Sequence, residues 1–254
     1  MSNIRVEQNQ LVLTITFNRP DKRNAISPKM YEEAAIALES AVDNDDVKAV
    51  LIQGEGEHFT AGNDLSHFAK VEDEEHFAET VRFMQALMHC PVPVVAKVKG
   101  QAVGIGTTML LHCDFIYCSR SAVFCMPFIN LALVPEFAAS WILPKLAGHP
   151  KASEWLMLGE PFGADEALQY GLVNKVLPDD ELDTAVQTVM QKLASKPKLA
   201  MRHTKALLKQ DLETVKLHMA DELDVFFSQL GTVAAKEAFA AFLEKRAPDP
   251  TKFK

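Results

Sequence analysis

The sequence predicts an α/β core followed by a helical C-terminal tail, and three observations carry that prediction. Two short apolar runs, Ala49-Val-Leu-Ile-Gln53 and Val94-Val-Ala-Lys-Val98, each end at a glycine-marked turn and give way to helical periodicity. Strand-like and helix-like segments recur in the order strand, strand, helix over the first part of the chain. Beyond residue 179 the pattern is almost wholly helical, through roughly residue 245. With 254 residues, 48% of them hydrophobic, the chain can bury a large core as one domain plus an appendage.

Residues 3–8 and 11–17 alternate in hairpin fashion around a polar Gln-Asn-Gln turn. Ser27-Pro28 reads as an N-cap followed by proline at the first helical position. The helix it opens carries Met30, Ala34, Ala37, Leu38 and Ala41 at helical spacing. Strand 47–53 leads into the first glycine turn, and a helix around 73–90 ends at Pro91-Val-Pro93 before strand 94–98. The second glycine turn opens a helix over 105–112, and Asp114-Phe-Ile-Tyr-Cys118 reads as a strand. Helices follow at 138–147, 151–158 and 164–170, the last closed by Gly171 as a left-handed cap before Leu172-Val-Asn-Lys-Val176.

A net charge of −8 argues against a general nucleic-acid binder. Local clusters such as Asp21-Lys-Arg23 and Lys196-Pro-Lys198 still leave room for a phosphorylated ligand. Cys90, Cys113, Cys118 and Cys125 form no CxxC pair, and no histidine stands beside them at metal-ligand spacing. Buried free thiols in a reducing cytoplasm are the expectation. The first residues lack an apolar signal core, no segment reaches membrane-spanning length, and the last residues carry no lipidation or peroxisomal address, so a soluble cytoplasmic protein is expected.

The turns Phe59-Thr-Ala-Gly-Asn-Asp-Leu65 and Gly100-Gln-Ala-Val-Gly-Ile-Gly106 are the most informative feature. Both sit at the ends of parallel-type strands, where open α/β sheets place ligands. Two backbone N–H groups aimed at one point stabilise negative charge on a carbonyl oxygen, and those of Asn63 and Ile105 are the expected donors. The plainer alternative is that Gly62, Gly104 and Gly106 merely permit tight strand-to-helix turns. Glu136, in Leu133-Val-Pro-Glu-Phe-Ala-Ala-Ser140, is the expected proton carrier. Its plainer reading is a carboxylate favoured at a helix N-terminus. Phe128, Phe137 and Trp141 would form an apolar wall that makes Glu136 more basic, or else belong to ordinary core. His58 and His112 lie near the turns, and a structural role is the expectation for each.

Asn18-Arg-Pro-Asp-Lys-Arg-Asn-Ala25, the Phe59–Leu65 turn, Val98-Lys-Gly-Gln-Ala-Val-Gly-Ile-Gly106 and Cys113-Asp114 resemble the crotonase (enoyl-CoA hydratase/isomerase) superfamily. Ala167-Leu-Gln-Tyr-Gly-Leu-Val-Asn-Lys-Val176 and Ala241-Phe-Leu-Glu-Lys-Arg246 are similar to the same family near its end. The resemblance spans nearly the whole chain in order. It implies a spiral of ββα units over residues 1–195 with the active site. Residues 196–254 would then be a helical region that mediates oligomerisation and covers the CoA site. It also implies an acyl-CoA thioester as partner, with no cofactor beyond the CoA of the substrate. A homotrimer or a dimer of trimers is the implied assembly, and no nucleic acid, membrane or metal is implied.

By the same resemblance, Lys22, Arg23, Ala25, Ala61, Gly62, Asn63 and Asp64 lie along the CoA, Gly104 belongs to the substrate site, and Phe242 and Lys245 approach the nucleotide. For Lys22, Arg23 and Lys245 a solvated charge is the plainer reading. Hydratases of the family use two glutamates at the positions of Thr108 and Phe128, and neither residue here can orient or deprotonate water. A glutamate at the position of Glu136 is the base of the monofunctional enoyl-CoA isomerases. The resemblance therefore implies conversion of 3-enoyl-CoA to 2-trans-enoyl-CoA in fatty-acid or related acyl-CoA metabolism. The alternatives are another crotonase reaction, hydration or thioester hydrolysis, and an acyl-CoA-binding homologue without turnover, which Ile105 in place of the family's common glycine would favour.

Overall fold

The computed structural model describes residues 3–68 and 77–253. The chain opens as the expected hairpin, β1 (Ile4–Asn9) against β2 (Val12–Phe17), antiparallel with Ile4 opposite Phe17. After a 3-10 turn come α1 (Pro28–Asp43), β3 (Ala49–Gly54), the short α2 (Leu65–Phe68) and α3 (Ala78–His89). Residues 73–76 of the helix expected over 73–90 lie outside the described residues. Next are β4 (Val94–Val98), β5 (Gln101–Val103), α4 (Ile105–Thr108), β6 (Phe115–Ser119) and β7 (Val123–Cys125). The core closes with α5 (Ala139–Ala147), α6 (His149–Ser153), β8 (Phe162–Gly163), α7 (Ala164–Gln169) and β9 (Lys175–Leu177).

Six strands form one sheet in the order β1-β2-β3-β4-β6-β9, parallel from β2 onward. A second, three-stranded sheet runs β5-β7-β8. In β4–β5–α4 and in β6–β7–α5 the chain feeds a strand into the large sheet and then a short one into the small sheet before a helix, which makes the ββα turns of a spiral. Parallel strands buried on both faces read as unbroken apolar runs, as Val94 to Val98 does. The one charge in that run, Lys97, reaches Asp183 at 2.7 Å.

From residue 179 the chain is helical: α8 (Asp179–Ala194), α9 (Lys198–Leu208), α10 (Leu212–Leu230) and α11 (Val233–Leu243). The amphipathic α8 sets Leu182, Val186, Met190 and Leu193 over Ala49 and Val95 in a small core of its own. The rest of the tail joins the main core through Met219, Leu223, Phe226, Ala235 and Phe239. Buried Lys205 of α9 ties it further, donating to Asp114 Oδ2 at 2.6 Å and Val92 O at 2.7 Å. Such a cation is tolerated inside only because both partners meet it.

Two expected helices are more irregular than their periodicity indicated. The one over 105–112 makes a single α turn and then tightens to 3-10 at residues 109–112, where the buried loop must swing toward β6. The one over 151–158 starts at His149 and widens to π geometry at residues 154–158 before Gly159 ends it in the left-handed region. No described helix is long and apolar enough to cross a membrane.

Candidate active site

The two glycine turns are stitched together. Asn24, fully buried, donates to Glu55 O and His58 O and accepts from Arg19 N, fixing the loop before the first turn. Thr60 Oγ1 then donates to Asn24 O and accepts from Gly62 N at 3.0 Å, while Thr60 N donates to Gln101 O across the gap. A Cβ on Gly62 (φ +82°) would lie 2.5 Å from Val103 O, so the turns approach as closely as only glycine allows. Gly104 (φ +56°) has open space where a Cβ would stand; its backbone, not crowding, demands glycine there. Among the described residues, the N–H groups of Asn63 and Ile105 donate to no protein acceptor.

Both donors line a cleft of about 380 Å³, walled by Ala61, Gly62, Val103, Gly104, Phe128, Leu133, Phe226 and Phe242 and rimmed by Arg246 and Pro248. Its size and apolar wall suit a small organic ligand. A larger groove of about 950 Å³ lies over β1, β2 and α8. It contains neither turn, and its one shifted carboxylate, Asp183, is held low by its hydrogen bond to Lys97, so the smaller cleft is the candidate site.

Glu136 stands next to this cleft, in a cavity of about 10 Å³ that shares Asn63 and Phe226 with it. The residue is 2% exposed, its Oε1 takes a short hydrogen bond from the Thr108 hydroxyl, and its Oε2 is buried with no partner among the described residues. Burial lifts its carboxyl to about 8, the Thr108 bond opposes that shift, and the nearby Glu222 carboxylate adds to it. Tyr31, on α1, donates to Asn63 Oδ1 at 2.5 Å, and its phenol is held well above its usual range by burial and by Glu136.

The bend after Glu136 is unusual: Phe137 and Ala138 both have φ near +60° (61° and 57°), a costly state for residues with a Cβ. Three contacts hold it. His112 Nε2 donates to Phe137 O at 2.7 Å and its ring stacks on Phe137 at 3.9 Å. Burial drops the His112 imidazole to about 3, which keeps it neutral. Glu222 of α10 accepts from Ser140 N at 2.8 Å and from Ser140 Oγ at 2.5 Å.

The sequence-derived candidates divide accordingly. Asn63, Ile105, Ala61, Gly62, Gly104, Phe128 and Phe242 meet at the cleft, with Glu136 beside it. Phe137 and Trp141 line neither cavity, which corrects their expected place in an apolar wall. Phe137 is turned into the core by its left-handed backbone, and Trp141 stacks on His218 at 3.9 Å under Lys145. The Asp64 carboxylate also serves the loop rather than the cleft, pairing with Arg19 at 3.1 Å and Ser66 Oγ at 2.6 Å. Arg23 reaches Gln101 Oε1 at 3.2 Å and Ala25 O accepts from Arg19, both just outside the cleft wall. Lys22 lies on the 3-10 turn and Lys245 is exposed. His58 accepts from Gln101 N, a structural task.

Sequence reasoning missed Tyr31, Glu222, Phe226 and Arg246, and saw Thr108 only as an absent acid. None carries a local signal, because each matters through a contact with a residue distant in the chain. Among the described residues no group of three metal-ligating side chains converges.

Against known proteins, residues 7–252 match the enoyl-CoA hydratase/isomerase family. Enoyl-CoA delta isomerase 2 of Rattus norvegicus is 37% identical over 217 residues, 83% of this chain and 55% of that protein, so the chain spans about half its length. The 1,2-epoxyphenylacetyl-CoA isomerase of Escherichia coli is 30% identical over 255 residues, covering 94% of this chain and 95% of that one. The crystal structure of an enoyl-CoA hydratase/isomerase from Pseudoalteromonas atlantica T6c superposes with a TM-score of 0.93 at 38% identity, over 98% of this chain and 99% of that one. The chain belongs to the enoyl-CoA hydratase/isomerase family, within the crotonase superfamily.

Proposed function

We propose that this protein isomerises 3-enoyl-CoA to 2-trans-enoyl-CoA through a one-carboxylate proton shift. One observation carries the reading: among the described residues that line the two adjoining spaces the only acid is Glu136, while the neighbouring Thr108 and Phe128 bring no second carboxylate. A base whose proton affinity sits near neutrality is suited to moving a carbon-bound proton.

The thioester oxygen rests between the Asn63 and Ile105 N–H groups, which form the oxyanion hole. Glu136 removes the C2 proton, and the electron pair moves onto that oxygen as a dienolate. The protonated Glu136 then delivers the proton to C4, and the double bond ends between C2 and C3. Losing one such donor costs about 3 kcal/mol of barrier in comparable sites. The cavity at Glu136 is about the size of one water, so admitting C2 to C4 requires the wall between the two spaces, where Phe226 and Asn63 border both, to give way. The CoA runs outward past Ala61 and Gly62 to Phe242 and Arg246, under the C-terminal tail. Leu199, Leu207, Leu208 and Leu217 stand exposed on α9 and α10, which supports burial of this tail against further copies of the chain.

The test is purified protein with 3-hexenoyl-CoA and with 2-hexenoyl-CoA, wild type against Glu136→Gln. Isomerisation without hydration, lost by more than about 1,000-fold in the variant, is the expected result, a base of this kind contributing up to ~10⁴-fold. Hydration of 2-hexenoyl-CoA at a comparable rate, or full activity in the variant, would overturn it.

A further inference from the structure

The molecule buries a second carboxylate that the proton shift does not use. Glu222 is 8% exposed, its Oε1 holds both the N–H and the hydroxyl of Ser140, and its Oε2 is buried with no partner among the described residues. Ser140 is the second residue of α5, whose first-turn N–H groups need an acceptor from outside the helix. No side chain at its own N-cap, Ala138, supplies one. A carboxylate brought from α10 does so, with the added attraction of the helix dipole.

That grip falls four residues after Glu136, on the far side of the bend at Phe137 and Ala138. His112 secures the bend at Phe137 O, and Thr108 secures the Glu136 carboxyl itself. Leu223, next to Glu222, walls the Glu136 cavity. We infer that Glu222 is a positioning residue: from α10 it anchors the start of α5, holds the strained bend that directs Glu136 toward the cleft, and keeps a second carboxylate near that of Glu136. The inference rests on Glu136 as the base only for its kinetic readout.

The groups facing Glu136 are few. Tyr31 comes from α1 and stays protonated, Thr108 comes from α4, and Glu222 comes from α10. From α3, Thr80, Val81 and Met84 line the cavity without a charge. Glu222 itself is met by Ser140, by the Ala138 backbone N–H and by His218, one turn earlier on α10. Burial first, and then Glu222, make Glu136 more basic, so removing the Glu222 charge moves Glu136 the other way.

The experiment compares full-length wild type, Glu222→Gln and Glu222→Leu by kcat and KM across pH 5 to 9. Unfolding free energies at pH 9 are measured for Glu222→Gln, Glu136→Gln and the double variant. In Glu222→Gln the amide oxygen still accepts from Ser140, so kcat on the plateau stays within about 3-fold. Its rising limb moves to lower pH by about half a unit or more. Glu222→Leu leaves the Ser140 N–H unmet, and kcat falls by about 10-fold or more with KM nearly unchanged. The stability cycle reads the carboxylate pair without any turnover: the two substitutions are expected to be clearly non-additive at pH 9. A superimposable pH profile in Glu222→Gln together with additive stabilities would overturn the inference, whether or not Glu222→Leu folds. An inactive wild type with non-additive stabilities would instead overturn the proposed reaction and leave the positioning role standing.

Discussion

Replacing Glu136 by glutamine is expected to abolish turnover and, at the same time, to stabilise the fold by an amount that grows with pH. In the unfolded chain the carboxyl ionises near its ordinary value of 4.5; in the folded chain burial holds it protonated up to about 8. The sign follows from that order. Below pH 4.5 both states carry the proton and the group costs nothing. As pH rises from there to about 8 the unfolded state gains from ionising while the native state does not, so stability falls by about 1.4 kcal/mol per pH unit. Over the whole interval the loss is about 5 kcal/mol, and about 3 kcal/mol of it is present at pH 7.

Glutamine does not titrate, so it escapes that loss. Whatever the amide gains or forfeits at Thr108 is independent of pH, and Glu222 is present in both proteins. The difference in unfolding free energy between Glu136→Gln and wild type is therefore expected to widen by about 4 kcal/mol from pH 5 to pH 9. Urea unfolding at pH 5, 7 and 9, at matched protein concentration, measures it. Parallel stability curves would refute the reasoning, since they would mean that Glu136 ionises in the native protein as it does in the open chain. On the proposed reaction, a carboxyl held so far from water is a stability cost accepted for function, and against a typical total of about 5–15 kcal/mol it is a large one.

Two further outcomes follow from neighbouring contacts. Thr108→Val removes the one hydrogen bond among the described residues that opposes the upward shift of Glu136, so the rising limb of kcat/KM against pH is expected to move higher and activity at pH 7 to drop; a limb that stays in place would count against Thr108 as the tuning donor. Glu237 pins the last segment over the cleft by accepting from Arg246 at 2.5 Å, Asp249 N at 2.9 Å and Lys252 at 3.0 Å. Glu237→Gln is expected to raise KM for the acyl-CoA by about 5- to 10-fold with kcat nearly unchanged, the worth of one charge-assisted bond being ~1.5 kcal/mol; an equal fall in kcat would show that the segment shapes the reacting end instead.

Much of the fold was legible because it is written in local code. The hairpin at β1–β2, the Ser27-Pro28 start of α1, the unbroken run of β4 and the glycine cap at residue 171 each declare themselves within a few residues. The two turns were legible for the same reason: a positive φ at Gly62 and Gly104 forces a residue type. The irregular helices were not. A 3-10 turn at 109–112 and a π turn at 154–158 keep an apolar face much as an α-helix does, and only tertiary crowding separates them.

The site divides along the same line, and Thr108 shows where. Read along the chain, it is a position where the acid of a hydratase is missing. In space it is the hydroxyl that binds the carboxyl of a residue 28 positions away. Tyr31 on Asn63 and Glu222 on Ser140 act over 32 and 82 positions. Phe137 misled for the converse reason: its neighbour Glu136 lines a cavity, but a left-handed backbone at residue 137 sends consecutive side chains in different directions, one toward the cleft and one into the core. Sequence spacing names Asn63, Ile105 and Glu136, which line the cleft and the cavity beside it. Besides burial, the groups that tune how basic Glu136 is, Thr108 and Glu222, come from α4 and α10, and only the folded chain brings those helices to one carboxylate.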